Sequence, residues 1–198
     1  MNKPKRDLAE GILFTDMYQL TMAQLYHRHG LHERPAQFDY FFRRCPDYGG
    51  HQAGYCVCAG LQTLLDWMER VRFGASELDC LRSYRAQNGG PLFEEGFLRW
   101  LVSDGGFFAS VSLEAVPEGR VVHPQTPIAV VRAPLAVAQV LESALLNHLN
   151  YETLVATKSA RIREAGEGRE VVGLLGGARL MGRREPRPEG LGHRAELV

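Results

Sequence analysis

Residues 141–161 read Leu-Glu-Ser-Ala-Leu-Leu-Asn-His-Leu-Asn-Tyr-Glu-Thr-Leu-Val-Ala-Thr-Lys-Ser-Ala-Arg. With the residues just before them they place Val137, Val140, Leu141, Ala144, Leu145 and Leu149 on one stripe at helical spacing. Tyr151, Leu154, Val155 and Ile162 continue the stripe, with a break expected near Asn150, and Gly166 and Gly168 close it. Immediately upstream the period is two. Ala109, Val111, Leu113 and Ala115 alternate with Ser110, Ser112 and Glu114, and Glu118-Gly119 turns into Val121-Val122. Ile128 to Val131 makes a further strand, so the alternation predicts a small antiparallel sheet. Strands feeding directly into a long amphipathic helix place the chain in the α/β class.

The elements nearer the start follow the same logic. Thr15-Asp16 precedes Leu20, Ala23, Tyr26 and His27 at helical spacing, and Gly30 is a natural stop. Residues 36–42 put Phe38, Tyr40 and Phe42 on one face of a strand. A glycine-rich loop over 43–54 leads to a short strand from Tyr55 to Ala59. Leu61, Leu64, Leu65, Met68 and Val71 mark an amphipathic helix. Ser76-Glu77-Leu78-Asp79 reads as a capping box, with Asp in place of the usual Glu, that opens another. Phe93, Phe97, Leu98 and Leu101 mark a third.

Composition narrows the function. The 198 residues are 45% hydrophobic and 23% charged, ample for a core and against disorder as the main state. Lys+Arg and Asp+Glu both number 23, so no basic excess points to nucleic acid. Arg132, polar residues and prolines interrupt the low-charge stretch over 121–149, so no membrane span is expected. The basic start, Met1 to Arg6, is followed by no long apolar segment, which argues against a secretory signal and for the cytoplasm. Cys45, Cys56, Cys58 and Cys80 lack metal or thioredoxin-like spacing and read as reduced structural thiols.

Four spots carry candidate chemistry. Thr15-Asp16 reads as a helix cap, and Tyr18 in the first turn suits either a core or stacking on a flat ligand. Arg43 and Arg44, at a strand end before the glycine-rich loop, suit phosphate or carboxylate, or a solvated strand end. His27, His29 and His32 have spacings of two and three rather than a metal site's four, and read as a surface cluster with no metal. Lys158 is the only Lys after residue 5 in an Arg-rich chain, and suits a phosphate ligand or a base. No P-loop, GxGxxG or nucleophile elbow is present.

Taken together, Leu13–Ala23 (LFTDMYQLTMA), Phe38–Arg44 (FDYFFRR), Val116–Val122 (VPEGRVV) and Leu141–Arg161 resemble the amino-terminal part of nicotinate phosphoribosyltransferases, in order and spacing, over about residues 8–172. The resemblance implies the α+β amino-terminal domain of a type II phosphoribosyltransferase over residues 1–165. Residues 166–198 would hold only the start of an irregular α/β barrel and an atypical tail. It implies an enzyme of NAD salvage that makes nicotinate mononucleotide from nicotinate and phosphoribosyl pyrophosphate, with Mg²⁺ and coupled ATP hydrolysis. It also implies a homodimer with shared active sites. Tyr18 matches the family's ring-stacking tyrosine, usually contributed by the neighbouring subunit, and Asp16 the acidic residue beside it. Arg43, Arg44 and Lys158 become phosphate candidates.

After Val172 the family's Gly-x-Arg-Arg-Ala-His/Gln-Gly stretch is replaced by Gly173-Leu174-Leu175-Gly176-Gly177-Ala178-Arg179-Leu180. The carboxylate-binding arginine, the phosphorylated histidine and the later phosphate loops then have no counterpart, so the catalytic groups are expected outside this chain. The break in character suggests a frameshift. The chain is expected to be inactive alone, with apolar surface left exposed and a tendency to aggregate. The alternatives are a non-catalytic dimerisation or complementation fragment, or a related transferase for nicotinamide or quinolinate.

Overall fold

One helix organises the molecule. In the computed structural model, which describes residues 11–47, 49–50, 53–102 and 106–166, the last of ten elements is the 31-residue helix Leu135–Ala165. The others, in chain order, are α1 (Met17–Arg28), β1 (Pro35–Tyr40), β2 (Cys56–Val57), α2 (Leu61–Arg70), α3 (Ala75–Ser83) and α4 (Glu95–Leu101), then β3 (Ser112–Ala115), β4 (Val121–Val122) and β5 (Ala129–Pro134). The long helix is α5. At 1.5 Å per residue it runs for about 46 Å, and α1, α2, β1, β2 and β5 all pack on it.

The expected break near Asn150 is absent. Asn residues disturb helices when their side chains compete for nearby backbone groups. Here Asn150 Oδ1 is taken instead by the Tyr40 hydroxyl, which donates to it at 2.8 Å. The inward face of the helix also turns polar at this point. Thr153 and Thr157 are buried and serve as hydrogen-bond partners for the β2 segment. Ala59 N donates to Thr153 Oγ1 at 3.2 Å, and Val57 N donates to Thr157 Oγ1 at 2.9 Å. Val57 belongs to a two-residue strand and Ala59 follows just beyond it, with little sheet to satisfy either amide, so the helix supplies the missing acceptors.

The strands are antiparallel, but they form two sheets rather than one. β5 is central in the first, with order β1-β5-β3. Its register pairs Phe38 with Val131 and Tyr40 with Ala129 on one side, and Leu113 with Val131 on the other. β4 leaves this sheet to pair with β2, Cys56 opposite Val122. Residues 109–110, read from alternation as strand, form a turn.

The core is one cluster that joins both sheets to the helices, with Ile12, Leu64, Phe97, Leu98, Leu101, Val140 and Leu141 almost fully buried. The start of α3 lies two residues earlier than the Ser76 capping box would place it. Gly74 holds the cap position, and its amide donates to Glu77 Oε2 at 3.0 Å, so Glu77 rather than Asp79 reaches back. Val57 lies between two inward thiols, and Cys56 and Cys58 are both buried. Tyr151, Leu154 and Ile162 are exposed along the second half of α5, and Met17, Tyr18, Met22 and Leu25 along α1. The expected barrel start and tail at 166–198, apart from Gly166, lie outside the described residues.

Candidate functional site

The Thr15–Tyr18 turn is fastened to the middle of α5. Thr15 Oγ1 donates to Val140 O at 3.2 Å. Ser143 Oγ accepts from Asp16 N at 3.1 Å and donates to Asp16 Oδ2 at 2.7 Å. Asp16 therefore holds the N-cap position of α1, but its side chain makes no cap bond. The expected role changes accordingly: the carboxylate is spent across the helix pair, and the turn is fixed to α5 rather than to its own helix. Ser143 could not be picked out from spacing, because in sequence it is one small polar residue between Glu142 and Ala144.

Beneath the turn lies a buried amide and carboxylate cluster. Gln19 is 0% exposed and Gln139 only 5%. Gln139 Nε2 donates to Gln19 Oε1 and, at 3.1 Å, to Glu142 Oε2, which also accepts from Gln19 Nε2 at 3.0 Å. Tyr26 OH donates to Gln139 Oε1 at 3.3 Å. Groups buried in low dielectric must be paired in this way, and a fully paired cluster fixes one register of α1 on α5.

Tyr18 sits above this cluster with half of its surface exposed. Desolvation, then Glu142 and Asp16, push its hydroxyl above the usual phenol range, so the ring is neutral at physiological pH. A half-exposed aromatic ring held rigidly at its root is suited to stacking. Its surroundings are acidic, which is unfavourable for an anion unless cations come from elsewhere.

Cations are found further along α5. Arg44 lines a groove of about 510 Å³ with Tyr40, Phe42, Cys45, Asn150 and Leu154. Arg43 is exposed beside it, and Lys158 is exposed on α5. Seven residues separate Ser143 from Asn150 and fifteen separate it from Lys158, about 10 and 22 Å along the axis. At 100° per residue, Ser143, Asn150, Leu154 and Lys158 fall within about 80° of arc. The candidate residues thus line one flank of α5, with Asp16 and Tyr18 at one end, Arg44 in the middle and Lys158 beyond. Among the described residues, Lys158 stands about 22 Å along α5 from Ser143, which holds Asp16.

His29 is exposed, as the surface reading has it, but His27 and His32 depart from that reading. His27 and His32 pack with ring centroids 4.6 Å apart, against Trp100 and Phe97, so the pair belongs to an aromatic layer over α4. Burial and the neighbouring His32 lower the pKa of His27. Among the described residues no group of three or more His, Cys, Asp or Glu could hold a metal, and no helix is long and apolar enough to cross a membrane.

Comparison with known proteins gives this geometry a family. The sequence model described as nicotinate phosphoribosyltransferase (NAPRTase) N-terminal domain matches residues 13–150. The nicotinate phosphoribosyltransferase of Bacillus subtilis is 42% identical over 151 residues, which are 76% of this chain and 28% of that protein. The Caenorhabditis elegans protein of the same name is 39% identical over 153 residues, 77% of this chain and 25% of that one. The crystal structure of human nicotinic acid phosphoribosyltransferase superposes with a TM-score of 0.62 at 37% identity, over 76% of this chain and 28% of that one. A nicotinate-nucleotide pyrophosphorylase from Pyrococcus furiosus superposes at 0.56 with 17% identity, over 84% and 32%, and shares the fold alone. The chain spans about a quarter to a third of the length of the curated relatives it matches. Matched over residues 13–150 and built as an α+β unit around α5, the chain belongs to the nicotinate phosphoribosyltransferase family through its N-terminal domain.

Proposed function

We propose that residues 1–165 are the N-terminal domain of a nicotinate phosphoribosyltransferase, which joins nicotinate to phosphoribosyl pyrophosphate to give nicotinate mononucleotide in cytoplasmic NAD biosynthesis. The observation that carries this reading is the Asp16–Ser143 clamp, which presents Tyr18 as a rigid, half-exposed ring inside the matched segment. Tyr18 stacks on the pyridine ring, Asp16 positions the turn, and Arg43, Arg44 and Lys158 offer charge to the phosphates. As pyrophosphate leaves, the sugar gains oxocarbenium character. The chain's contribution is then orientation, together with cations placed where negative charge grows.

The acidic field around Tyr18 and the 22 Å span along α5 support a site completed by other surfaces, a second copy and the expected barrel. Among the described residues no group of three or more His, Cys, Asp or Glu is placed to hold Mg²⁺. In the whole protein Mg²⁺ would neutralise phosphate charge and ATP hydrolysis would drive the reaction.

A chimera tests the proposal. Residues 13–150 replace the matching segment of the Bacillus subtilis relative, and nicotinate mononucleotide is measured with nicotinate, nicotinamide or quinolinate as substrate. Product from nicotinate, lost with Tyr18→Ala and retained in large part with Tyr18→Phe, is expected. A chimera indifferent to Tyr18→Ala, or one that prefers nicotinamide or quinolinate, overturns the assignment. The 198 residues alone are expected to make no product. The exposed apolar residues of α1 and α5 favour a second reading, a non-catalytic dimerisation or complementation unit. That reading gains if the chain restores activity to a separately produced barrel, yet the Tyr18→Ala chain restores it equally well.

A further inference from the structure

Two of the four cysteines, far from any metal pattern in sequence, line the same groove. Cys45 follows Arg44 at the end of the β1 segment, and Cys56 opens β2. The segments beside them are tied together, Ala53 N donating to Pro46 O at 3.0 Å. Both residues line the groove that contains Arg44, Asn150 and Leu154, and the Cys45 thiol is near enough to Cys56 to perturb its proton affinity. Their environments differ. Cys45 is partly exposed, while Cys56 is 3% exposed. Cys58 and Cys80 are not in this groove: Cys58 is buried with its Sγ 3.7 Å from Val116 O, and Cys80 lies on α3.

We propose that Cys45 and Cys56 form a dithiol modification site, oxidised to an intramolecular disulfide by small-molecule disulfides of the glutathione class. The asymmetry in exposure sets the order of events. Cys45, open to the groove, loses its proton to solvent, and its thiolate attacks one sulfur of the reagent. The reagent's S–S bond breaks, one reagent thiolate leaves and takes up a proton, and a mixed disulfide remains on Cys45. Cys56 then gives up its proton and attacks the Cys45 sulfur, expelling the second reagent thiol. Two protein thiols are oxidised by two electrons, and one disulfide is reduced to two thiols. Burial, and then the Cys45 sulfur, push the Cys56 thiol up to about 11. It therefore serves as the resolving group rather than the first nucleophile.

The product would tie the residue after Arg44 to the first residue of β2. If Arg43 and Arg44 serve phosphates as proposed above, the bond limits how far they reach into the groove. The covalent chemistry itself does not depend on that reading.

The test is oxidation of the intact 198-residue chain with oxidised glutathione under native conditions, followed by alkylation of free thiols and peptide mass mapping. The expected product has lost two hydrogens, carries no glutathione and contains a Cys45–Cys56 crosslink, with Cys58 and Cys80 alkylated. Dithiothreitol should restore all four thiols. The Cys56→Ser chain should stop at a single glutathione adduct on Cys45, and the Cys45→Ser chain should resist modification at Cys56. A stable glutathione adduct on Cys45 in the unsubstituted chain overturns the proposal. So does pairing that involves Cys58 or Cys80, or four free thiols after exposure to reagent. These outcomes are read by mass alone, so failure of the proposed enzymatic role leaves them unchanged.

Discussion

Replacing Gly60 with Ala probes the point where α2 meets α5. Gly60 caps α2 with φ of 100°, a conformation that costs a residue with a Cβ about 1–2 kcal/mol. Its amide donates to Glu118 Oε1 at 2.9 Å, so the backbone cannot simply rotate to relieve the strain. A Cβ built here would stand 2.5 Å from His148 O and 3.2 Å from Glu152 Cβ, whereas real Cβ contacts essentially never fall below 3.0 Å. Something must therefore move by at least 0.5 Å, and the atom in the way is backbone in the middle of a 31-residue helix. Overpacking of this kind adds about 1–3 kcal/mol. The total expected for Gly60→Ala is about 2–5 kcal/mol, a large share of the 5–15 kcal/mol typical of a domain. Gly89 isolates the steric part. Its φ of 82° carries the same backbone penalty, but nothing lies within 4 Å of an added Cβ. Urea unfolding followed by Trp67 fluorescence reads the difference, since Trp67 packs on Phe108 and His148. With a slope of about 2 kcal/mol per M, Gly89→Ala should lower the midpoint by about 0.5–1 M and Gly60→Ala by about 1–2.5 M. Equal shifts in the two variants would refute the close approach of α2 and α5.

Thr157→Val keeps shape but leaves the buried Val57 amide without its acceptor; a loss of about 1–3 kcal/mol is expected, with faster hydrogen exchange at Val57. Unchanged exchange there would sink the idea that α5 completes β2. Gln139→Leu should cost about 1–3 kcal/mol for the same reason, because it strands Gln19 and Tyr26, whereas the exposed Tyr18→Ala should move stability by less than about 0.5 kcal/mol. If Tyr18→Ala destabilises as much as Gln139→Leu, the ring belongs to the core and not to a site. The last prediction concerns pH. Burial, then Arg70, lower the pKa of His148 in the folded state below its ordinary 6.5, so the unfolded chain takes up the proton first and stability falls as pH drops below about 6.5. Glu152, raised by burial, works in the opposite sense and favours the folded state at low pH. His148→Gln should flatten the decline in urea midpoint between pH 7.5 and 5.5, and an undiminished decline would assign the slope to other groups such as His27.

The sequence discloses what depends on local period and hides what depends on partners. Leu61, Leu64 and Met68 announce α2 because only a helix gathers them on one face. Phe38 and Tyr40 announce β1 because only a strand does. The partner of β1 is another matter. Its pairing with β5, across about ninety residues, carries no local mark, and neither does the departure of Val121-Val122 to join Cys56-Val57. The break expected at Asn150 shows the same limit. A polar residue in an apolar stripe weakens the helical pattern until it is known that Tyr40 waits opposite. Asp16 and Tyr18 stand out within a specific motif, but Ser143, which holds Asp16, and the Gln19–Gln139–Glu142 cluster beneath are ordinary polar residues in sequence. Only docking brings them together.

The placement of α5 also governs how the chain comes to be folded. Its surface is the floor for α1, β1 and β2, while β5, the partner of β1, immediately precedes it. A ribosome releases these elements in order, so β1 emerges about ninety residues before its strand partner β5, and α1 more than a hundred residues before the helix it packs on most. Until then β1 is an unpaired edge that carries Phe38 and Tyr40, and the side of α1 that packs on α5 faces water. High contact order of this kind slows folding and prolongs exposure of aggregation-prone segments. Synthesis of the first 134 residues therefore completes the strands of both sheets but not the helix they rest on, and the described structure closes only when α5 clears the exit tunnel. Factors that shelter nascent chains would matter most during that interval.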